Sequence, residues 1–123
     1  MTMIKSDIVL ATQTLLPIIK KDKHFEHFTQ GNQKTDYFSN LISTSDFSRV
    51  MSLIHHVARK KEPMTCIFHL KQRHGLSLVT GLYGYYQDDK IYLSLYDIST
   101  LDEKHLKEIT YQTFTKEELL KYV

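Results

Sequence analysis

The spacing of apolar residues changes at Pro63, from a helical period before it to a strand period after it. Ahead of this proline, apolar side chains recur three, four and seven positions apart and share one helical face. Residues 43–46 carry oxygens of the kind that cap a helix, and Arg59 to Lys61 are cations near the negative end of the helix dipole. We predict a helix over 46–61 whose buried face holds Phe47, Val50, Met51, Ile54, Val57 and Ala58.

After Pro63, apolar and polar residues alternate in three segments, 64–71, 76–86 and 91–96. Turn-forming residues separate the segments, and the connections are too short for parallel crossovers, which need a dozen residues or more. Gly81 and Gly84 are candidate bulge points in the middle segment. The pattern therefore predicts three antiparallel strands in a meander.

The N-terminal third shows a mixed pattern. Apolar residues from Ile4 to Leu16 recur at helical spacing, which predicts an amphipathic helix that Pro17 ends. Ile18-Ile19 and residues 25–29 flank a polar turn and predict a hairpin, whereas turn formers in 30–44 predict loop and short helical turns.

The tail carries two capping-box patterns, Thr100–Glu103 and Thr115–Glu118, and each predicts the start of a short helix. The element order predicts an α+β domain: a five-stranded antiparallel sheet with helices on one face. We divide the chain into an N-terminal flanking helix (1–14), a sheet domain (15–100) and C-terminal linker helices (101–123).

Size and composition narrow the class of protein. The 123 residues suit one domain, and the single cysteine, Cys66, allows no internal disulfide. Apolar runs such as 15–19 fall far short of the roughly 20 residues of a membrane helix, and no secretory leader pattern stands at the N-terminus. The net charge of +2 is too small to indicate a nucleic-acid partner. We expect a cytoplasmic protein with no membrane span and no direct nucleic-acid partner.

Several features follow one another from residue 42 onward: Asp46 at the start of the long helix, three meandering strands with turns at 73–75 and 88–90, and the closing Tyr96-Asp97-Ile98-Ser99. This order resembles the C-terminal half of a PAS domain, a sensory and dimerisation module of bacterial signalling proteins. The resemblance covers about residues 15–100.

The resemblance implies a cytoplasmic sensor module attached to, or partnered with, an output such as a histidine kinase, a diguanylate cyclase or a transcription regulator. It implies a homodimer and a small-molecule ligand in a cavity between the sheet and the long helix. Asp97, Ile98 and Ser99 would relay the signal. The candidate cavity residues are Leu41, Met51, Ile54, His55, Cys66, Phe68, Leu70 and Leu95.

The seven histidines are candidate metal or haem ligands. On the expected strand, His24 and His27 point to opposite faces and cannot share a zinc ion. His55 borders the apolar helix face, from which some haem-binding PAS domains supply an axial ligand, but a border histidine reaching water is the simpler interpretation. Neither haem nor flavin is expected, no metal site is assigned, and the identity of any cofactor stays open.

The other chemical candidates favour a structural interpretation. Cys66 lies among apolar strand residues, where a thiol is inert. No phosphate loop, metalloprotease motif or nucleophile elbow occurs, so no catalytic residue is assigned and an enzyme is not expected. Five tyrosines favour sheet packing, with a dimer surface or a ligand pocket as the alternative: Tyr83, Tyr85, Tyr86, Tyr92 and Tyr96.

Two other functions remain as alternatives. The first is a ligand-free homodimerisation module that uses the apolar stripe of the N-terminal helix. The second is a small α+β enzyme with an acid-base pair in an open-sheet pocket, which is disfavoured because Asp97 alone offers a carboxylate within a strand.

Overall fold

The computed structural model describes residues 4–99 and Glu117. Five strands form one antiparallel sheet in the order β2-β1-β5-β4-β3. The α+β class and the five-stranded sheet are therefore confirmed. The strands and helices are, in chain order, β1 (Lys5–Ala11), β2 (Ile18–Lys21), α1 (Phe25–Thr29), α2 (Phe47–Lys60), β3 (Met64–Lys71), β4 (Ser77–Gln87) and β5 (Lys90–Asp97). Two short 3-10 turns lie at Phe38–Leu41 and Arg73–Gly75.

The meander after Pro63 is confirmed. Cys66 pairs with Leu82 across β3 and β4, and Leu82 pairs with Leu95 across β4 and β5, so one row of apolar residues crosses three strands. The register of both pairings is continuous, so the prediction of bulges at Gly81 and Gly84 is wrong. Gly84 instead lies beneath Leu93, whose Cδ2 atom would be 2.7 Å from a Cβ at that position.

The long helix is confirmed as α2. It ends where Lys61 adopts a left-handed backbone conformation, with φ +57°, and donates its N–H to the carbonyl of Val57. The expected cap at its start is wrong, because the Asp46 side chain makes no capping bond. Its carboxylate is already bonded to Ser43, Arg49 and His69.

The predicted N-terminal helix is wrong. Residues 5–11 form β1, which lies between β2 and β5 in the sheet. Its inward positions are Ser6, Ile8 and Leu10, all buried. The alternation is hard to see in the sequence because one inward residue is polar; the Ser6 hydroxyl is satisfied by Asp22, 16 positions away. The sheet domain therefore includes β1 and does not begin after residue 14.

The prediction that residues 25–29 form the second strand of a hairpin is also wrong. Residues 18–21 are a strand as expected, but they pair with β1, and residues 25–29 form the short helix α1. Phe25 and Phe28, three positions apart, both enter the core, which a helix allows and a strand does not. The Asp22 carboxylate accepts the His24 N–H at the start of this turn.

One apolar layer joins the helices to the sheet. Side chains of α1 and α2 belong to the same buried cluster as inward residues of the strands, so both helices cover one face, as predicted. The short helical turns expected in 30–44 are present at 38–41. The two capping-box segments of the tail lie outside the described residues. Among the residues described, none belongs to a helix with the length and apolar character that crossing a bilayer requires.

Candidate functional site

The candidate site is the apolar layer between the sheet and the two helices, which we call the sheet–helix core. Its floor consists of inward side chains of the strands, and α1, α2 and the 3-10 turn at 38–41 cover them. These positions face inward because side chains alternate along each strand and recur every three to four residues on each helix. The central members are Phe28, Phe38, Leu41, Val50, Ile54, Phe68, Leu82 and Leu95.

Seven of the eight candidate cavity residues lie in this core: Leu41, Met51, Ile54, Cys66, Phe68, Leu70 and Leu95. His55 does not. It is half-buried at the border of α2, and its Nε2 atom is 3.2 Å from the carbonyl oxygen of Thr14. The structure therefore brings the seven apolar candidates together and places the imidazole at the edge of the layer.

Three phenylalanines of the same core are not among the residues that the sequence analysis proposed. Phe25, Phe28 and Phe38 are buried there, and the rings of Phe38 and Phe68 are in contact with centroids 5.8 Å apart. The three-residue spacing of Phe25 and Phe28 was the available signal, but it was assigned to a strand. Such rings contribute large apolar area to a core.

The chemistry of this interior is apolar. Burial raises the pKa of the Cys66 thiol to about 12, so the thiolate is essentially absent at neutral pH. Within the described part of the chain, every buried side-chain nitrogen or oxygen has a hydrogen-bond partner. Among these residues, no buried polar side chain is left to form a hydrogen bond with a ligand. An apolar ligand therefore suits this layer best.

One carboxylate ties the start of α2 to β3. Asp46 Oδ2 accepts the His69 backbone N–H at 2.7 Å and lies 3.0 Å from His69 Nδ1, and Oδ1 accepts from Arg49 at 3.1 Å. Burial acts to raise the pKa of this carboxyl, but the bonds from His69, Arg49 and Ser43 outweigh it, so the pKa lies below its ordinary value. Arg49 also donates to the Ile67 carbonyl at 2.7 Å.

A second carboxylate lies at the end of β5, among the predicted relay residues. Asp97 Oδ2 is 2.6 Å from His27 Nε2 on α1, and Oδ1 accepts both the N–H and the hydroxyl of Ser99. Burial raises the pKa of Asp97, but the bonds from Ser99 and His27 lower it more, so the net pKa is below its ordinary value. The third relay residue, Ile98, is buried and donates its N–H to Val79.

The prediction that His24 and His27 lie on a strand is wrong. These residues stand at the start and in the middle of α1, not on a strand, and the His27 imidazole is engaged by Asp97. Over the described residues, no group of three or more His, Cys, Asp or Glu side chains is arranged to hold a metal ion.

Three of the five tyrosines, Tyr83, Tyr85 and Tyr92, lie on the outer face of the sheet, whereas Tyr86 pairs with the inward residue Ile91. The rings of Tyr85 and Tyr92 stack with centroids 5.2 Å apart, and Tyr83 lies beside Tyr85 at 5.9 Å. Together with lysines of β1 and β2 they line a shallow cleft of about 550 Å³. This cleft is on the opposite side of the sheet from the sheet–helix core.

The backbone of this chain superposes on solved structures of sensory domains. The PAS domain of the RpfR quorum-sensing receptor of Cronobacter turicensis, in complex with BDSF, superposes with a TM-score of 0.63 at 14% identity, over 80% of this chain and 97% of that domain. This chain has a PAS fold.

Two further comparisons agree with the PAS fold. The same Cronobacter domain in complex with C12:0 has the same TM-score of 0.63. A domain of a sensory box sensor histidine kinase/response regulator from Geobacter sulfurreducens gives 0.59 at 13% identity, over 76% of this chain and 82% of that one. Neither a protein-family model nor a curated protein sequence matches. At these identities the likeness establishes the fold.

Proposed function

We propose that this PAS-fold chain is a cytoplasmic sensor module in signal transduction. A small apolar molecule entering the sheet–helix core would change the position of the helices relative to β5, and an attached or partner domain would read that change. A histidine kinase, a diguanylate cyclase or a transcription regulator is the kind of output we envisage, so any catalysis lies outside this chain. We further propose that the module acts as a homodimer.

The observation that carries the proposal is the continuous apolar layer that reaches from α1 and α2 to β5. A ligand shifts an equilibrium only if it binds one arrangement better than the other. An occupant of this layer separates helix from sheet, so its binding free energy differs between the closed and the separated arrangement. The structural neighbour from Cronobacter is described as a receptor domain in complex with BDSF and with C12:0, which supports a small-molecule ligand here.

The test is a titration of the full chain with C12:0, followed by NMR of methyl-labelled Ile, Leu and Met residues. We expect saturable shifts at Met51, Ile54 and Leu95 and no shifts at the exposed methyls of Leu15 and Leu76, which are internal controls. Shifts of similar size at exposed and buried methyls, or no saturation, would contradict binding in the core.

A matched pair of variants sharpens this test. Leu95→Ala opens space in the core and should bind C12:0 more tightly than the parent chain, whereas Leu76→Ala, at a side chain 61% exposed, should leave the affinity unchanged. Equal effects of the two substitutions would place the binding site elsewhere.

The dimerisation alternative loses its original basis. It depended on an apolar stripe along an N-terminal helix, but Ile8 of that stripe is an inward residue of β1, and Ile8 and Leu16 are both buried in the domain. The homodimer in our proposal therefore needs another surface.

The enzyme alternative has one observation in its favour, the pairing of Asp97 with His27. In a nucleophilic site the imidazole bonds to the hydroxyl that it activates. Here the Ser99 hydroxyl bonds to Asp97 Oδ1, and His27 bonds to the other oxygen of the same carboxylate. The hydroxyl and the imidazole thus share an acceptor and do not form an activated nucleophile, which supports a module without catalysis of its own.

A further inference from the structure

A single side-chain bridge joins α1 to the residues that follow β5. His27 Nε2 lies 2.6 Å from Asp97 Oδ2, although the two residues are 70 positions apart. The other oxygen of this carboxylate holds Ser99 through its N–H at 2.9 Å and its hydroxyl at 2.6 Å. The orientation of one carboxylate therefore depends on contacts on both sides.

On the helix side, the bridge begins next to the core. Phe25 and Phe28 of α1 are buried in the sheet–helix core, and the ring of His27 meets that of Phe28 edge-on at 5.4 Å. A displacement of α1 by a change in the core would carry His27 with it, because His27 lies between Phe25 and Phe28 in the same five-residue helix.

On the strand side, three contacts hold residues 97–99. The Asp97 N–H donates to the Ile4 carbonyl at 3.0 Å, the Ile98 N–H donates to the Val79 carbonyl at 3.3 Å, and Ser99 is held by the Asp97 carboxylate. The first two contacts are between backbone groups of the sheet. The third depends on the side chain that His27 also contacts.

We propose that His27 is a positioning residue that couples the placement of α1 to the conformation of residues 97–99 through the Asp97 carboxylate. The biological role of this coupling rests on the proposed sensor function. The coupling itself exists without a ligand and is measurable without one.

Other charged groups surround the bridge, and they define the controls. Among the described residues, the His27 Nε2 atom lies 2.6 Å from Asp97 Oδ2. The other charged or titratable side chains at α1 and on the strands β1 and β3 that pack against it are Lys5, Asp7, His24, Glu26, Cys66, His69 and Lys71, and Lys21 lies over the Phe25 ring. His24, at the start of α1, lies three positions before His27 and acts on Asp22 instead of Asp97, so it is the matched control.

The test is amide hydrogen exchange on the full chain, measured by NMR. His27→Gln should speed exchange at Ile98 and Ser99 by about twofold to fivefold, the upper part of the range expected for losing a partly exposed side-chain pair. Asp97→Asn should speed exchange at the α1 amides by a similar factor, because coupling is reciprocal. The double variant should add little to either single variant, whereas His24→Gln should leave residues 97–99 unchanged.

A second readout separates positioning from general stability. The bond from His27 lowers the pKa of Asp97, so His27→Gln should raise the carboxyl pKa observed by carbon NMR, and His24→Gln should not. Exchange at 97–99 that changes by less than twofold in His27→Gln, or effects of the two single variants that add fully, would overturn the proposal. Failure of C12:0 to bind would refute the sensor ligand and leave this coupling standing.

Discussion

At the scale of single residues, Gly84 shows how tightly the core is packed. It lies on the inward side of β4, opposite Leu93 of β5, and a Cβ there would be 2.7 Å from Leu93 Cδ2 and 3.5 Å from the sulfur of Met64. Leu93 is itself buried. The glycine is needed for close approach of a neighbouring side chain and not for an unusual backbone conformation.

Gly84→Ala should therefore destabilise the domain by about 1–3 kcal/mol, because Leu93 must leave its preferred position in a packed interior. Urea unfolding at neutral pH measures this free energy. In a Leu93→Ala background the same substitution should cost clearly less. Equal costs in both backgrounds would show that the contact with Leu93 is not the cause.

At the scale of elements, β1 shows why a period can be misread. The chain from Ile4 to Leu16 contains apolar residues at helical spacing, but residues 5–11 alternate inward and outward in the sheet. β1 pairs with β5 over seven residues, and those backbone hydrogen bonds and the burial of Ile8 and Leu10 favour the strand over the helix. Tertiary pairing overrides the local spacing.

The strand assignment predicts unequal effects of neighbouring substitutions. Leu10→Ala removes a fully buried side chain and should cost about 2–5 kcal/mol. Val9→Ala, on the outer side of β1, should cost less than about 1.5 kcal/mol. Urea unfolding of both variants at the same pH checks the difference, and equal costs would contradict the inward and outward placement.

At the scale of the whole molecule, three carboxylates fasten helical segments to the sheet. Asp22 bonds to Ser6 and to the backbone of Asp7 and His24, Asp46 joins α2 to β3, and Asp97 joins β5 to α1. Burial raises each pKa and the hydrogen bonds lower it by more, so each pKa lies below its unfolded value in the folded chain.

A group with a depressed folded pKa stabilises the fold above its unfolded pKa and loses that contribution as the pH falls. The urea midpoint should therefore fall as the pH is lowered from about 5 through the ordinary aspartate range near 4 and below. Asp46→Asn should lower the midpoint at pH 7 and flatten its pH dependence. Asp88→Asn, in the β4–β5 turn, is the control. A midpoint unchanged between pH 6 and pH 3 would contradict this account.

The parts of the fold that have a local pattern can be predicted from the sequence alone. The helix at 47–60, the three meandering strands and six of the seven apolar candidates in the core follow from periods of a few residues, because burial of one face imposes that spacing wherever the element forms.

The strand β1, the helix α1 and the contact of His27 with Asp97 depend on long-range contacts. The buried hydroxyl of Ser6 donates a hydrogen bond to the Asp22 carboxylate. The His27 imidazole contacts a carboxylate 70 positions away. Such choices depend on partners that are distant in the chain and adjacent only after folding, so no short window of sequence contains them.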